Sequence, residues 1–118
     1  MGTSKSSDRK TAWTAGVSMF SGRQDPTWLV SDRAAARLKR IWDSLTRHAG
    51  AGPDAPALGY RGCWLRDATG REWFAYGGVV TEREGDREER RADPGKAWEQ
   101  RLISSAPRGV LPPGMHMS

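Results

Sequence analysis

The sequence feature that most restricts the fold is a turn signal, Asp-Ala-Thr-Gly at residues 67–70, between two runs rich in aromatic and β-branched residues. Aspartate favours the start of a tight turn, and glycine at its end accepts the left-handed backbone that other residues resist. The flanking runs, 58–66 and 71–81, therefore predict the two strands of a β-hairpin. Because both runs carry apolar residues on both faces, we expect the hairpin at the centre of a sheet.

The segments ahead of the hairpin have a clear periodicity. Residues 13–20 alternate between two faces and predict a half-buried strand, and residues 27–30 predict a short second strand or an extended lead-in. Apolar residues then recur at spacings of four and three, which predicts a helix over 31–48 that begins at Ser31 or Asp32. The buried face of this helix is expected to contain Leu38, Ile41, Trp42 and Leu45.

The segment after the hairpin completes the predicted fold. Residues 83–93 mix acidic and basic side chains, which is typical of a solvated loop. Asp93 and Pro94 favour the start of a helix over 93–105. The order β(β)αββα indicates the α+β class, with two helices packed on one face of a mostly antiparallel sheet. The ferredoxin-like βαββαβ plan fits this order if residues 107–112 supply a last strand.

Length and composition indicate one small domain with polar ends. Of the 118 residues, 36% are hydrophobic, and a single α+β domain is expected over residues 12–106. Residues 1–11 are expected to be a disordered tail and residues 107–118 an irregular one. No apolar run approaches the roughly 20 residues of a membrane helix, and the first residues lack the apolar segment of a signal peptide. A single cysteine, Cys63, excludes an internal disulfide, which favours a cytoplasmic protein. With no membrane helix or signal peptide predicted, we expect no membrane contact.

A basic stripe on the predicted helix is one candidate binding surface. The net charge is +5, and four arginines of the helix fall within one arc beside its apolar face. Such a stripe, with the basic N-terminal tail, would suit a nucleic-acid-binding domain. The favoured interpretation is a solvated flank whose arginine stems cover the edge of the core. The stripe consists of Arg33, Arg37, Arg40 and Arg47.

A second candidate is a pocket for an anionic ligand between the hairpin and the helix. Its residues come from two segments, SGRQDPTW and GYRG, in which guanidinium groups stand beside aromatic side chains. Turn and packing roles are the favoured interpretation of these residues. The two segments resemble a pattern in short bacterial proteins, and this resemblance implies a bacterial origin and no particular activity. The candidate ligand-binding set is Arg23, Asp25, Trp28, Tyr60 and Arg61.

The number of tryptophans is the strongest functional signal. The chain has six, whereas the core of a domain this small holds roughly three or four large aromatics. One or two should therefore be partly exposed, in a contact patch on the sheet. On one side of the predicted strand 71–81 this patch is expected to contain Phe74, Tyr76 and Val80. The favoured function is a non-enzymatic protein-interaction or accessory module, acting as a homodimer or with another protein.

Catalysis has little support in the sequence. His48 and His116 have no carboxylate or cysteine partner at a recognisable spacing, and no phosphate-binding loop or paired metal-ligand motif is present. We therefore predict no catalytic residue, no metal and no cofactor. A small enzyme or anionic-ligand-binding protein with its site near Arg23, Tyr60 and Arg61 is the alternative.

Overall fold

An antiparallel sheet of six strands, covered on one face by helices, forms the described part of the chain. The structure is a computed structural model and describes residues 13–20, 24–50, 52–54 and 59–112. The predicted α+β class is confirmed. The strands are β1 (Trp13–Phe20), β2 (Thr27–Val30), β3 (Gly59–Arg66), β4 (Glu72–Tyr76), β5 (Val79–Glu84) and β6 (Arg87–Ala92). The helices are α1 (Asp32–Ser44) and α2 (Ala97–Ser104), and a short 3-10 turn (Pro94–Lys96) precedes α2.

The predicted hairpin is confirmed and lies at the centre of the sheet. The strand order is β2-β1-β3-β4-β5-β6, so the hairpin strands β3 and β4 are the two middle strands. The carboxylate of Asp67 closes the turn, because its Oδ1 accepts the backbone N–H groups of Thr69 at 2.9 Å and Arg71 at 3.1 Å. Gly70 has a φ of 96°, the left-handed conformation that the turn requires.

Two segments differ from their predictions. The run 71–81 is not one strand, because Gly77 and Gly78, with φ of 62° and 88°, turn the chain between β4 and β5. Residues 83–93, predicted as a loop, complete β5 and form β6 instead. Charged side chains are also the usual protection of an exposed edge strand. Mixed charge therefore did not distinguish a loop from an edge strand here.

The core lies between the helices and the sheet. Leu38 and Trp42 of α1 are 0% and 3% exposed, and the indole Nε1 of Trp98 on α2 donates to the Leu38 carbonyl at 3.1 Å. This bond ties the two helices together beneath their exposed surfaces.

The tryptophans divide as the packing argument predicts. Trp28, Trp42, Trp73 and Trp98 are buried, whereas Trp13 and Trp64 are half-buried.

Helix α1 ends at Ser44, four residues before the predicted end at residue 48. Leu45 is already extended, with ψ of 151°, and the chain then runs beside β6, where the N–H of His48 donates to the Arg90 carbonyl at 2.8 Å. Leu45, predicted to be buried, is therefore half-buried. Ile41, also predicted to be buried, is half-buried within the last turn of α1. Arg91 stabilises this helix end, since its Nη1 donates to the Trp42 carbonyl at 2.7 Å.

The ferredoxin-like plan is wrong for this chain. Residues 107–112 form turns and supply no strand, and every strand pair of the described sheet is antiparallel. Val110 and Leu111 instead pack against the core on the helix side of the sheet. The predicted tail at 1–11, and residues 113–118 of the predicted tail 107–118, lie outside the described residues.

Candidate functional site

The sheet face turned away from the helices, called the open face below, contains the candidate interface. Strand register sets its side chains in three rows across β3 to β6, with an aromatic row between a charged row and a mixed row. The aromatic row is Trp64, Phe74, Thr81 and Arg90; the charged row is Arg66, Glu72, Arg83 and Glu88; the mixed row is Tyr76, Val79 and Ala92.

Two glycines form the floor on which the aromatic rings lie. A Cβ atom at Gly16 would lie 2.5 Å from Cζ2 of Trp64, and one at Gly62 would lie 2.5 Å from Cζ of Phe74. Side chains at either position would therefore push the ring off the sheet. Gly62 also has a φ of 121°, which disfavours any other residue. The rings rest on bare backbone on one side and remain half-exposed on the other.

The structure corrects one residue of the predicted interface. Phe74 and Tyr76 lie on the open face as predicted, but Val80 is 0% exposed and pairs with Ala75 on the helix side. The two-residue turn between β4 and β5 causes this change, because it pairs Tyr76 with Val79 and so reverses the alternation that a continuous strand would have. Val79 therefore takes the place of Val80 on the open face, where it is only 8% exposed and lies beside Gly52 and Pro53.

The charges of the open face are paired within the sheet. Arg66 binds Glu72 at 3.2 Å, and its guanidinium carbon also lies 4.6 Å from the ring centre of Trp64. Arg83 binds Glu88 at 2.9 Å, and this hydrogen bond lowers the pKa of Glu88 below its usual value. The charged row is thus close to neutral and alternates in sign from strand to strand.

The described residues of the predicted ligand pocket contact different elements of the fold. Asp25 accepts the backbone N–H of Met19 at 3.1 Å, and Trp28 is buried, with its Nε1 donating to Ser105 Oγ at 3.0 Å. Tyr60 is directed to α2 rather than to α1, and Arg61 is half-buried. Arg23 lies outside the described residues. The turn and packing roles favoured for Asp25 and Trp28 match these contacts.

Sequence reasoning missed a buried polar cluster beneath α2. The Tyr60 hydroxyl donates to Glu99 Oε2, while Glu99 is 1% exposed and its Oε1 has no partner among the described residues. Burial raises the pKa of Glu99, that of Tyr60 and that of the neighbouring Cys63 thiol. Asp93 is buried beside them and accepts the N–H groups of Trp98 and Glu99 at 2.9 and 3.1 Å. The signal in the sequence was a glutamate within the buried face of α2.

This cluster is suited to holding α2 on the sheet and not to nucleophilic chemistry. Cys63 is 0% exposed, and burial keeps its thiol protonated. A cysteine reacts as the thiolate, which a buried apolar site disfavours. Cys63 therefore acts here as a small core residue.

The basic stripe is only partly helical. Arg33, Arg37 and Arg40 are exposed on α1. Arg47 lies beyond the helix end, where its backbone pairs with that of Arg91 and its Nε lies 3.9 Å from Glu89 Oε2. The early end of α1 removes Arg47 from the predicted arc. Because the helices cover the other side of the sheet, the remaining stripe lies on the side of the molecule opposite to the open face.

The described residues contain no group of three or more His, Cys, Asp or Glu side chains placed to hold a metal ion. No helix within the described ranges is long and apolar enough to cross a membrane. Comparison with known proteins gives no family model, curated protein or solved structure that matches this chain.

Proposed function

We propose that this protein is a non-enzymatic interaction module and that its open face binds a second copy of the chain. The observation that carries the proposal is the row of half-buried rings, Trp64 and Phe74 with Tyr76 beside them, on a face that neither helix covers. Contiguous aromatic surface of this kind is typical of protein contact sites. The described end of the chain does not cover it, since Val110 and Leu111 pack on the helix side.

The alternating charges favour a second copy over a foreign partner. From β3 to β6 the charged row reads positive, negative, positive, negative. A two-fold axis that runs along the strands, between β4 and β5, would place each charge opposite its complement in an isologous contact. Arg66 would then face Glu88 of the partner subunit, and Glu72 would face Arg83 of the partner subunit.

The same axis matches the aromatic row. Trp64 would pack against Arg90 of the partner subunit, and Phe74 would pack over the partner's Thr81. The mixed row would lie at the rim of the contact, since Gly52 and Pro53 of the same chain already lie beside Val79. Face-to-face sheets keep their strands within about 30° of each other, which preserves this row-to-row correspondence. Four strands about 4.8 Å apart and six residues about 3.4 Å apart give a footprint of roughly 20 by 20 Å. Since this area is small for a protein interface, we expect a dimer that dissociates on dilution.

A nucleic-acid-binding function has weaker support from this geometry. Stacking of bases on a sheet requires free positive charge beside the rings, to bind the phosphates. The arginines beside Trp64 and Phe74 are paired with glutamates, and the exposed arginines of α1 lie on the opposite side of the molecule.

Sedimentation velocity at increasing protein concentration tests the proposal. The wild-type mass is expected to rise from 13.0 kDa toward twice that value as the concentration increases through the micromolar range. Phe74→Glu places a charge at the centre of the patch and is expected to remain monomeric. A wild type that stays monomeric throughout contradicts the proposal.

Leu29→Glu is the matched control. Leu29 lies on the same face but on the edge strand β2, it is 77% exposed, and it lies outside the four strands of the proposed contact. We expect Leu29→Glu to dimerise like the wild type and both variants to keep the wild-type circular dichroism spectrum. Equal loss of dimer in the two variants would also contradict the proposed axis.

A further inference from the structure

A cleft between the two helices concentrates positive charge on the side of the molecule opposite to the open face. It lies between the first two turns of α1 and the last turn of α2 and has a volume of about 290 Å³. Three guanidinium groups and three hydroxyl groups surround it. The lining residues are Ser31, Arg33, Ala34, Arg37, Arg101, Ser104 and Ser105.

The arginines of this cleft are exposed, and Asp32 is the acidic residue in the first turn of α1 beside them. In the described part of the chain, ion pairs join the arginines of the sheet to glutamates, and none of them includes Arg33, Arg37 or Arg101. Arg33 and Arg37 are one helical turn apart, a spacing at which like charges destabilise a helix. Three exposed guanidinium groups around one concavity are therefore placed to share one anionic ligand.

The hydroxyl groups of the cleft are already engaged. Ser31 Oγ accepts the Ala34 N–H at 3.1 Å as the cap of α1, and the hydroxyls of Ser104 and Ser105 donate to carbonyls of α2 at 2.8 and 2.6 Å. The serines fix the cleft walls, and the guanidinium groups, with the Ser31 hydroxyl hydrogen, remain as its donors. The positive end of the α1 dipole lies at the same place and adds to their attraction for an anion.

We propose that this cleft binds a phosphorylated small molecule through Arg33, Arg37 and Arg101. Guanidinium forks bind phosphoryl oxygens in bidentate pairs, and three of them match the charge of a pyrophosphate or a phosphate monoester with a further anionic group. The volume lies at the lower end of the range for small-molecule pockets, which suits a compact ligand. This site is separate from the open face and does not depend on dimerisation.

Isothermal titration calorimetry with inorganic phosphate, pyrophosphate and ATP, at low and physiological salt, tests this proposal. Pyrophosphate or ATP is expected to bind the wild type with a defined stoichiometry of one per chain. Arg37→Gln and Arg101→Gln are each expected to weaken binding by about 10-fold or more, because each removes a charge-assisted hydrogen bond.

Arg40→Gln is the matched control. Arg40 is exposed on the same helix but does not line the cleft, so its loss is expected to change the dissociation constant by less than about 2-fold. An equal effect of Arg40→Gln and Arg37→Gln would show diffuse charge attraction and overturn the proposal. The absence of binding by all three probes would also overturn the proposal. So would a short single-stranded oligonucleotide that binds more tightly than the three probes and loses as much affinity with Arg40→Gln as with Arg37→Gln.

Discussion

Burial of Glu99 makes the stability of the domain depend on pH in a predictable direction. Glu99 is 1% exposed, and burial raises its pKa, an effect that the Tyr60 hydrogen bond and the nearby Lys96 only partly offset. The folded protein therefore holds this proton to a higher pH than the unfolded chain does. The contribution of Glu99 to the free energy of unfolding is fully present below its unfolded pKa and is lost as pH rises through its folded pKa.

The substitution Glu99→Gln isolates this contribution. Glutamine has nearly the same shape and is neutral at every pH, so the variant and the wild type should be similar in stability at low pH. Between the folded and the unfolded pKa of Glu99, the free energy of unfolding of the variant should rise relative to that of the wild type by up to about 1.4 kcal/mol per pH unit, the limit for one proton. Above the folded pKa the difference should become constant.

Urea unfolding followed by tryptophan fluorescence, repeated across the pH range 4 to 9 that roughly brackets the titration of a buried glutamate, measures this difference. The difference in free energy of unfolding between the two proteins removes the contributions of other titrating groups that both share. One such group is Glu88, whose lowered pKa makes stability fall at low pH, the opposite direction. A difference that stays constant, or that falls as pH rises, would refute the assignment of Glu99 as a buried, raised-pKa carboxyl group.

Three further substitutions test the fold. Gly70→Val should lower the free energy of unfolding by about 1–2 kcal/mol or more, because a β-branched residue resists the φ of 96° at the hairpin turn; a neutral effect in thermal unfolding would contradict the turn geometry. Leu38→Ala should lower the free energy of unfolding by about 2–5 kcal/mol, since Leu38 is 0% exposed. Leu45→Ala should lower it clearly less, because Leu45 is half-buried at the end of α1. Equal losses of the two variants in urea unfolding would contradict the position of that helix end.

The parts of the fold that were predictable are those in which one local signal decides the conformation. The turn at residues 67–70 combines an aspartate that bonds the backbone with a glycine in the left-handed region, and both features act within four residues. The faces of β1 and of the first half of α1 follow directly from their apolar spacing. These features need no information from the rest of the chain.

One incorrect prediction overlooked a local signal, and the others have causes distant in sequence. Gly77 and Gly78 are a two-residue turn signal, but they were included in a strand because apolar residues continue on both sides, and the turn there moved Val80 to the helix side. The end of α1 depends on pairing between residues 46–48 and β6, which is distant in sequence. The bond between Tyr60 and Glu99 joins residues 39 positions apart, so no local spacing could reveal it.

A charge-exchange experiment tests the proposed dimer most directly. Arg66→Glu and Glu88→Arg each place like charges opposite one another across the proposed axis, and sedimentation velocity is expected to show monomers for each single variant. The double variant restores opposite charges between the subunits while leaving like charges beside Glu72, Arg83 and Arg90 within each chain. We expect the double variant to dimerise again at the concentrations at which the wild type does. A double variant that remains monomeric while the wild type dimerises would contradict the pairing of Arg66 with Glu88 of the partner subunit, and with it the proposed contact.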